Sequence, residues 1–171
     1  MSNQPGSLSP AEFERARRFL LRAVELSRDG PRAECGGPFG AVVVRSEDDR
    51  IVGEGFNRVI CDRDPTAHAE INAIRDASAK LQSFNLAGCE MFASSQPCPM
   101  CLAACYWARI DRVWFANTVD QAAAIGFDDS LFYEELGRPT KLRKLPQIHV
   151  PLPEAAAPFE EWAKNPVKTP Y

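Results

Sequence analysis

His68-Ala69-Glu70 and, further along, Pro97-Cys98-Pro99-Met100-Cys101 are the residues of this chain whose types and spacing could do chemistry. One imidazole and two thiolates make three protein ligands for zinc and leave a fourth position for water, which zinc acidifies toward neutral pH. Zn²⁺ with two thiolates and a neutral imidazole is formally neutral. Glu70, two residues beyond the histidine, need not touch the metal and can carry protons between that water and a substrate. A closed structural zinc site would instead need a fourth protein ligand, for which Cys105 is the nearest candidate. Cys105 suits core packing equally well, since cysteine is among the most buried residue types. Glu70 favours the catalytic reading, because a structural site has no use for a carboxylate that does not ligate.

These side chains need elements to position them. Cys98 and Cys101 are three apart, so on a helix they share one face. Pro99 suits a first helical turn, which puts both thiols near a helix N-terminus, where backbone N–H groups and the dipole favour thiolates. The pattern predicts this helix from about Pro99 to Arg109. It predicts another from about Thr66 to Phe84, with His68 and Glu70 in its first turn. Earlier, Ser9-Pro10-Ala11-Glu12 is a capping box, and Phe13, Ala16, Leu20, Ala23 and Val24 continue at helical spacing to the Gly30-Pro31 stop. Residues 39–45 and 51–56 read as paired strands around a polar turn, and residues 90–94 and Val113–Ala116 as two further strands. Strand–helix alternation of this kind implies an α/β domain whose later strands are parallel.

The chain has 171 residues, 45% hydrophobic and 25% charged, the balance of an ordinary globular domain, and it is read as a single domain over 1–171. A net charge of −3 argues against a nucleic-acid partner, since phosphate binding leaves a basic footprint. Nothing approaches the roughly 20 apolar residues of a membrane helix, and Met1–Pro10 lacks the pattern of a secretory signal. A cytoplasmic location follows as the expectation, and with it six cysteines kept as free thiols or metal ligands rather than disulfides. The tail from about residue 139 holds half of the 14 prolines. Within it, Ile148–Leu152 is expected as an edge strand and Phe159–Lys164 as a short helix, while Phe159, Trp162 and Tyr171 point to docking against a folded body.

Gly36-Gly37-Pro38-Phe39-Gly40-Ala41-Val42, Asp64-Pro65-Thr66-Ala67-His68-Ala69-Glu70-Ile71, Trp107-Ala108-Arg109 and Gly126-Phe127-Asp128-Asp129, together with the two metal motifs, resemble the bacterial guanine deaminases of the cytidine deaminase superfamily. The likeness runs over roughly residues 11–171. It implies a three-layer α/β/α sandwich around a five-stranded mixed sheet, and a homodimer whose C-terminal segment can be exchanged between subunits. It also implies one Zn²⁺ per subunit on His68, Cys98 and Cys101, with Glu70 as the proton shuttle. Asn57 would hydrogen-bond a nucleobase and Phe39 pack against it. Asp129 would read the purine edge or help move protons, and Tyr171 would lie over the closed pocket. The family carries Cys-Glu where this chain has Ser95-Gln96, which exchanges a carboxylate for an amide beside the metal helix.

Each substrate assignment has a plainer counterpart. Phe39 could be core, Asn57 a turn residue, and Asp129 the cap of a following helix. Trp107 and Phe127 read as packing rather than pocket, and Tyr171 sits at a terminus. Hydrolysis of guanine to xanthine and ammonia is the leading function. The alternatives are deamination of guanosine, cytosine, isocytosine or an aminotriazine, tRNA adenosine editing, and a zinc-stabilised binding module without turnover.

Overall fold

A computed structural model describes residues 8–170. By internal contacts the chain falls into two units, Met1–Asp129 and Ser130–Tyr171.

In the first unit, helix α1 (Pro10–Leu26) starts as the sequence predicts. Ser9 Oγ accepts the backbone N–H of Glu12, and the Glu12 carboxylate accepts the N–H of Ser9. A single turn, α2 (Asp29–Arg32), follows. Strands β1 (Gly40–Arg45) and β2 (Arg50–Phe56) form an antiparallel hairpin. Next come the turn α3 (Val59–Asp62), helix α4 (Ala69–Leu81), strand β3 (Cys89–Ser95), helix α5 (Pro99–Trp107), strand β4 (Arg112–Asn117) and helix α6 (Val119–Ala123).

The sheet order is β2-β1-β3-β4. β3 runs antiparallel to β1 and parallel to β4, which makes the right-sized α5 crossover necessary. The sheet is mixed, as expected, but among the described residues it has four strands rather than five. The predicted edge strand at Ile148–Leu152 is exposed and has no assigned secondary structure or strand pairing. Pro146, Pro151 and Pro153 crowd it, and each removes an N–H that a ladder would need.

Side chains alternate across β1 and β3 and build a core on each face. Val42, Val44 and Phe92 pack under Ala16, Phe19 and Leu26 of α1. Ala41, Val43, Met91 and Ala93 pack under Ala69, Ala73 and Ala77 of α4 and Cys105 of α5. The α4 contact is unusually close. A Cβ on Gly55 would sit 2.4 Å from the Ala69 carbonyl oxygen, so the small residues of β2 and α4 let backbone approach backbone and fix the height of the α4 N-terminus.

Helix α4 begins at Ala69, later than Thr66, because Asp64 Oδ1 captures both the N–H and the hydroxyl of Thr66 in a turn. It ends at Gln82, which is left-handed at φ 52°, before Phe84. One expectation about the cysteines fails: Cys35 and Cys61 form a disulfide, while Cys89, Cys98, Cys101 and Cys105 are free. Cys35 and Cys61 lie equally far along the chain from the Gly40–Phe56 pair, so the β1–β2 hairpin brings them face to face.

The second unit contains α7 (Ser130–Gly137), two 3₁₀ turns at Thr140–Leu142 and Pro153–Ala156, and α8 (Ala157–Lys164), the short helix expected there. Arg138 bridges Glu134 and Glu135 along α7. No helix among the described residues is long and apolar enough to cross a membrane.

Candidate active site

Two helix N-termini meet at the C-terminal end of β3. His68 is the N-cap residue of α4 and Cys98 that of α5, both with extended backbone, and neither side chain caps its own helix. The usual N-cap bond is thus forgone, which leaves both side chains for another partner. Cys101, one turn into α5, is fully buried.

The three ligand atoms converge. His68 Nδ1 lies 3.6 Å from Cys98 Sγ and 3.5 Å from Cys101 Sγ. Zn–S bonds near 2.3 Å and Zn–N bonds near 2.05 Å at a tetrahedral angle require an S···N edge of about 3.6 Å. The group fits a tetrahedral zinc ion on both edges, and it is the one such cluster among the described residues. Cys105 does not join it, which leaves three protein ligands and favours the open site over the closed one.

The local charges suit that ion. Hydrogen bonding from Cys101, with help from His68, holds the Cys98 thiol down to about 4. Cys101 moves the other way, first through the same hydrogen bond and then through burial. A divalent cation between the sulfurs would displace a thiol proton on binding. The hydrogen bond to Cys98 raises His68. Burial pushes the Cys105 thiol up to about 12, as befits an inert core residue.

Glu70 occupies the second position of α4 and is 7% exposed. Cys101 Sγ donates to its Oε2 over 3.5 Å, which sets the carboxyl beside the ligand cluster rather than in it. Burial raises its pKa above the ordinary carboxylate value.

A cavity of about 280 Å³ opens above these groups. His68, Glu70 and Cys98 form part of its lining, together with Phe39, Asn57 and Asp129, the predicted substrate residues. Asn57 is buried, and its Oδ1 accepts the N–H of Val59, which leaves the amide NH₂ as its offering. Burial raises the pKa of Asp129. Tyr171 lies outside the described residues.

Phe127, expected as packing, is part of the lining. It stands edge-on to Phe39 with ring centroids 4.8 Å apart, so the two rings make an aromatic corner for a planar ligand. Trp107 is 62% exposed and does not line the cavity. Gly36, Gly37, Ile60, Ser95 and Gln96 also contribute to the wall. The Gly-Gly pair before Pro38 was the available signal for the first two. The Thr118–Gln121 capping box was the signal for α6, whose buried Ala122 also lines the cavity.

The cytidine and deoxycytidylate deaminase zinc-binding region matches residues 13–117. The chain belongs to that family. Among its relatives, the guanine deaminase of Bacillus subtilis is 47% identical over 144 residues, covering 84% of this chain and 91% of that one. The crystal structure of that guanine deaminase superposes with a TM-score of 0.86 at 45% identity, over 91% of this chain and 98% of that one. The guanine deaminase of Nitrosomonas europaea superposes with a TM-score of 0.63 at 30% identity, over 82% of each chain. Within a zinc-binding deaminase domain, the His68–Cys98–Cys101 triangle is the group that could hold the metal.

Proposed function

We propose that this protein hydrolyses guanine to xanthine and ammonia in a zinc-dependent reaction. One observation carries the reading: a buried carboxyl, Glu70, stands beside a tetrahedral His-Cys-Cys ligand set at the edge of a cavity with aromatic walls. The likeness to two guanine deaminases supports the choice of ring.

Zinc, when bound, would supply Lewis acidity that makes a water nucleophilic near neutral pH. The chain's own residues do the rest. Glu70 takes the water's proton as oxygen attacks the amino-bearing ring carbon. It delivers that proton to the adjacent ring nitrogen, then carries the remaining proton of the added hydroxyl to the amine as the C–N bond breaks and the C=O forms, so one water enters and one ammonia leaves. Phe39 and Phe127 form the aromatic corner against which the ring would lie and shield it from solvent. The NH₂ of Asn57 suits a carbonyl or ring-nitrogen acceptor, and the carboxyl of Asp129 suits a ring N–H. Among the described residues no lysine or arginine lines the cavity, whereas Glu70 and Asp129 do. That balance repels a phosphate and favours a free base over a nucleotide.

The whole chain is proposed to act as one deaminase domain and to work in the cytoplasm as a homodimer. The unit Ser130–Tyr171, with Phe159 79% and Val167 83% exposed, is proposed to exchange between subunits, and Tyr171 to cover the substrate. Sedimentation of the full chain tests the dimer.

The deciding experiment measures ammonia release by zinc-loaded protein from guanine, guanosine, cytosine, isocytosine, an aminotriazine and a tRNA anticodon stem-loop. The highest kcat/KM is expected on guanine. A higher value on any other substrate replaces the assignment.

A further inference from the structure

The Cys35–Cys61 disulfide joins two segments that line the cavity, with Cys35 buried and Cys61 exposed. Cys35 directly precedes Gly36 and Gly37, and Cys61 directly follows Val59 and Ile60; all four of these neighbours line the cavity. Asn57 lies between the two segments. Its Oδ1 accepts from Val59 N–H at 3.3 Å, and on the other side a Cβ on Gly36 would come within 2.0 Å of the same oxygen. The amide is therefore gripped between the glycine backbone and α3. The N–H of Ile60 donates to the carbonyl of Cys35 at 2.9 Å, and the disulfide is the covalent tie across that grip.

The metal cluster has a second seat. Helices α4 and α5 pack on the sheet through Ala69, Ala73, Cys105 and Ala93, while the turn before His68 is bonded to the α3 segment, Arg58 N–H donating to the Ala67 carbonyl at 2.9 Å and Asp64 N–H to the Val59 carbonyl at 3.2 Å. Cys61 is exposed and Cys35 buried, so a reductant reaches the bond from the Cys61 side.

We propose that Cys35 and Cys61 are positioning residues whose disulfide braces the Gly36–Asn57 wall, making substrate affinity respond to redox state. Reduction by a dithiol donor breaks the one S–S bond, moves two electrons and two protons to the cysteines, and leaves the donor as its disulfide. The freed segments then share their time among arrangements of which only a fraction grips Asn57 correctly, and apparent affinity falls by that fraction. The proton chemistry at Glu70 is untouched. The inference rests on the guanine reading for its substrate but not for its geometry.

The test compares the protein before and after a water-soluble phosphine, which cleaves the disulfide as it becomes its oxide and, unlike a dithiol, does not compete for zinc. Thiol titration of the denatured chain should rise from four to six. With guanine, KM should rise roughly 3- to 10-fold while kcat stays within about 2-fold and zinc content is constant. C35S/C61S should show the raised KM without any reductant and ignore the phosphine. Reoxidation of the wild-type protein should restore the low KM, an arm that stands even where the double variant folds poorly. Six free thiols in the protein before reduction, or an unchanged KM after it, overturns the proposal. No turnover of guanine by the oxidised protein sinks the substrate reading instead, and the same comparison then runs on whichever ring is turned over.

Discussion

Glu70 Oε2 lies 3.5 Å from Cys101 Sγ, across the gap between two facing helix N-termini. The carboxyl abuts a sulfur of the group that could hold the metal without joining that group, so the proposed metal-binding and proton-transfer roles fall to different side chains and can be separated by mutation.

Glu70→Gln should keep one zinc per chain and lower kcat by roughly 10²- to 10⁴-fold, the range for losing a general acid–base group. Parallel measurement of zinc content and turnover decides it. Full turnover in the zinc-loaded variant removes Glu70 from the mechanism.

His68→Ala should do the opposite. With one nitrogen gone from the triangle, zinc content drops below stoichiometry and activity falls with it. Dialysis of the wild-type protein against a chelator should abolish ammonia release, and added Zn²⁺ should restore it. Ammonia release that survives complete zinc removal is the contrary result.

Gly36→Ala places a methyl 2.0 Å from Asn57 Oδ1, a contact that backbone or amide must yield to. The expected destabilisation is about 1–3 kcal/mol, as for other overpacked sites, with a raised KM because the amide is displaced. Asn57→Ala should also raise KM, by about 5- to 10-fold for one lost hydrogen bond. Melting curves and steady-state kinetics read both.

Acid should weaken the first unit through Glu54. Arg22 forks onto this carboxylate at 2.8 and 3.0 Å and, more than any other group, holds its pKa below the ordinary 4.5. A depressed folded pKa means the stabilisation is fully present above 4.5 and is lost as pH falls through the folded value. Glu54→Gln should therefore lower Tm at pH 7 and flatten the loss of Tm below about pH 4.5. The same slope in variant and wild type would remove Glu54 from the acid response.

Much of this protein was legible before folding. The Ser9–Glu12 capping box, Pro99 in a first helical turn and the Cys98/Cys101 spacing are local signals, satisfied within a turn or two of the chain. They determined α1, α5 and the face on which the thiols sit. The zinc reading followed from the His-x-Glu and Cys-x-x-Cys motifs together with their resemblance to the zinc deaminases. Contacts between distant segments decided the remainder. The late start of α4 depends on an Asp64–Thr66 turn competing with helix. The Cys35–Cys61 bond depends on the hairpin register, which brings together two cysteines 26 residues apart where the sequence predicts free thiols. Phe127 reads as packing until the fold sets its edge against Phe39 at the cavity wall. The expected fifth strand lacks a ladder because prolines remove the donors it needs. Local hydrogen bonding and donor chemistry are written residue by residue, so the sequence by itself pointed to the candidate metal group and the reaction class. The cavity wall is assembled from segments far apart in the chain, so only the tertiary structure decided what shape of ring meets Glu70.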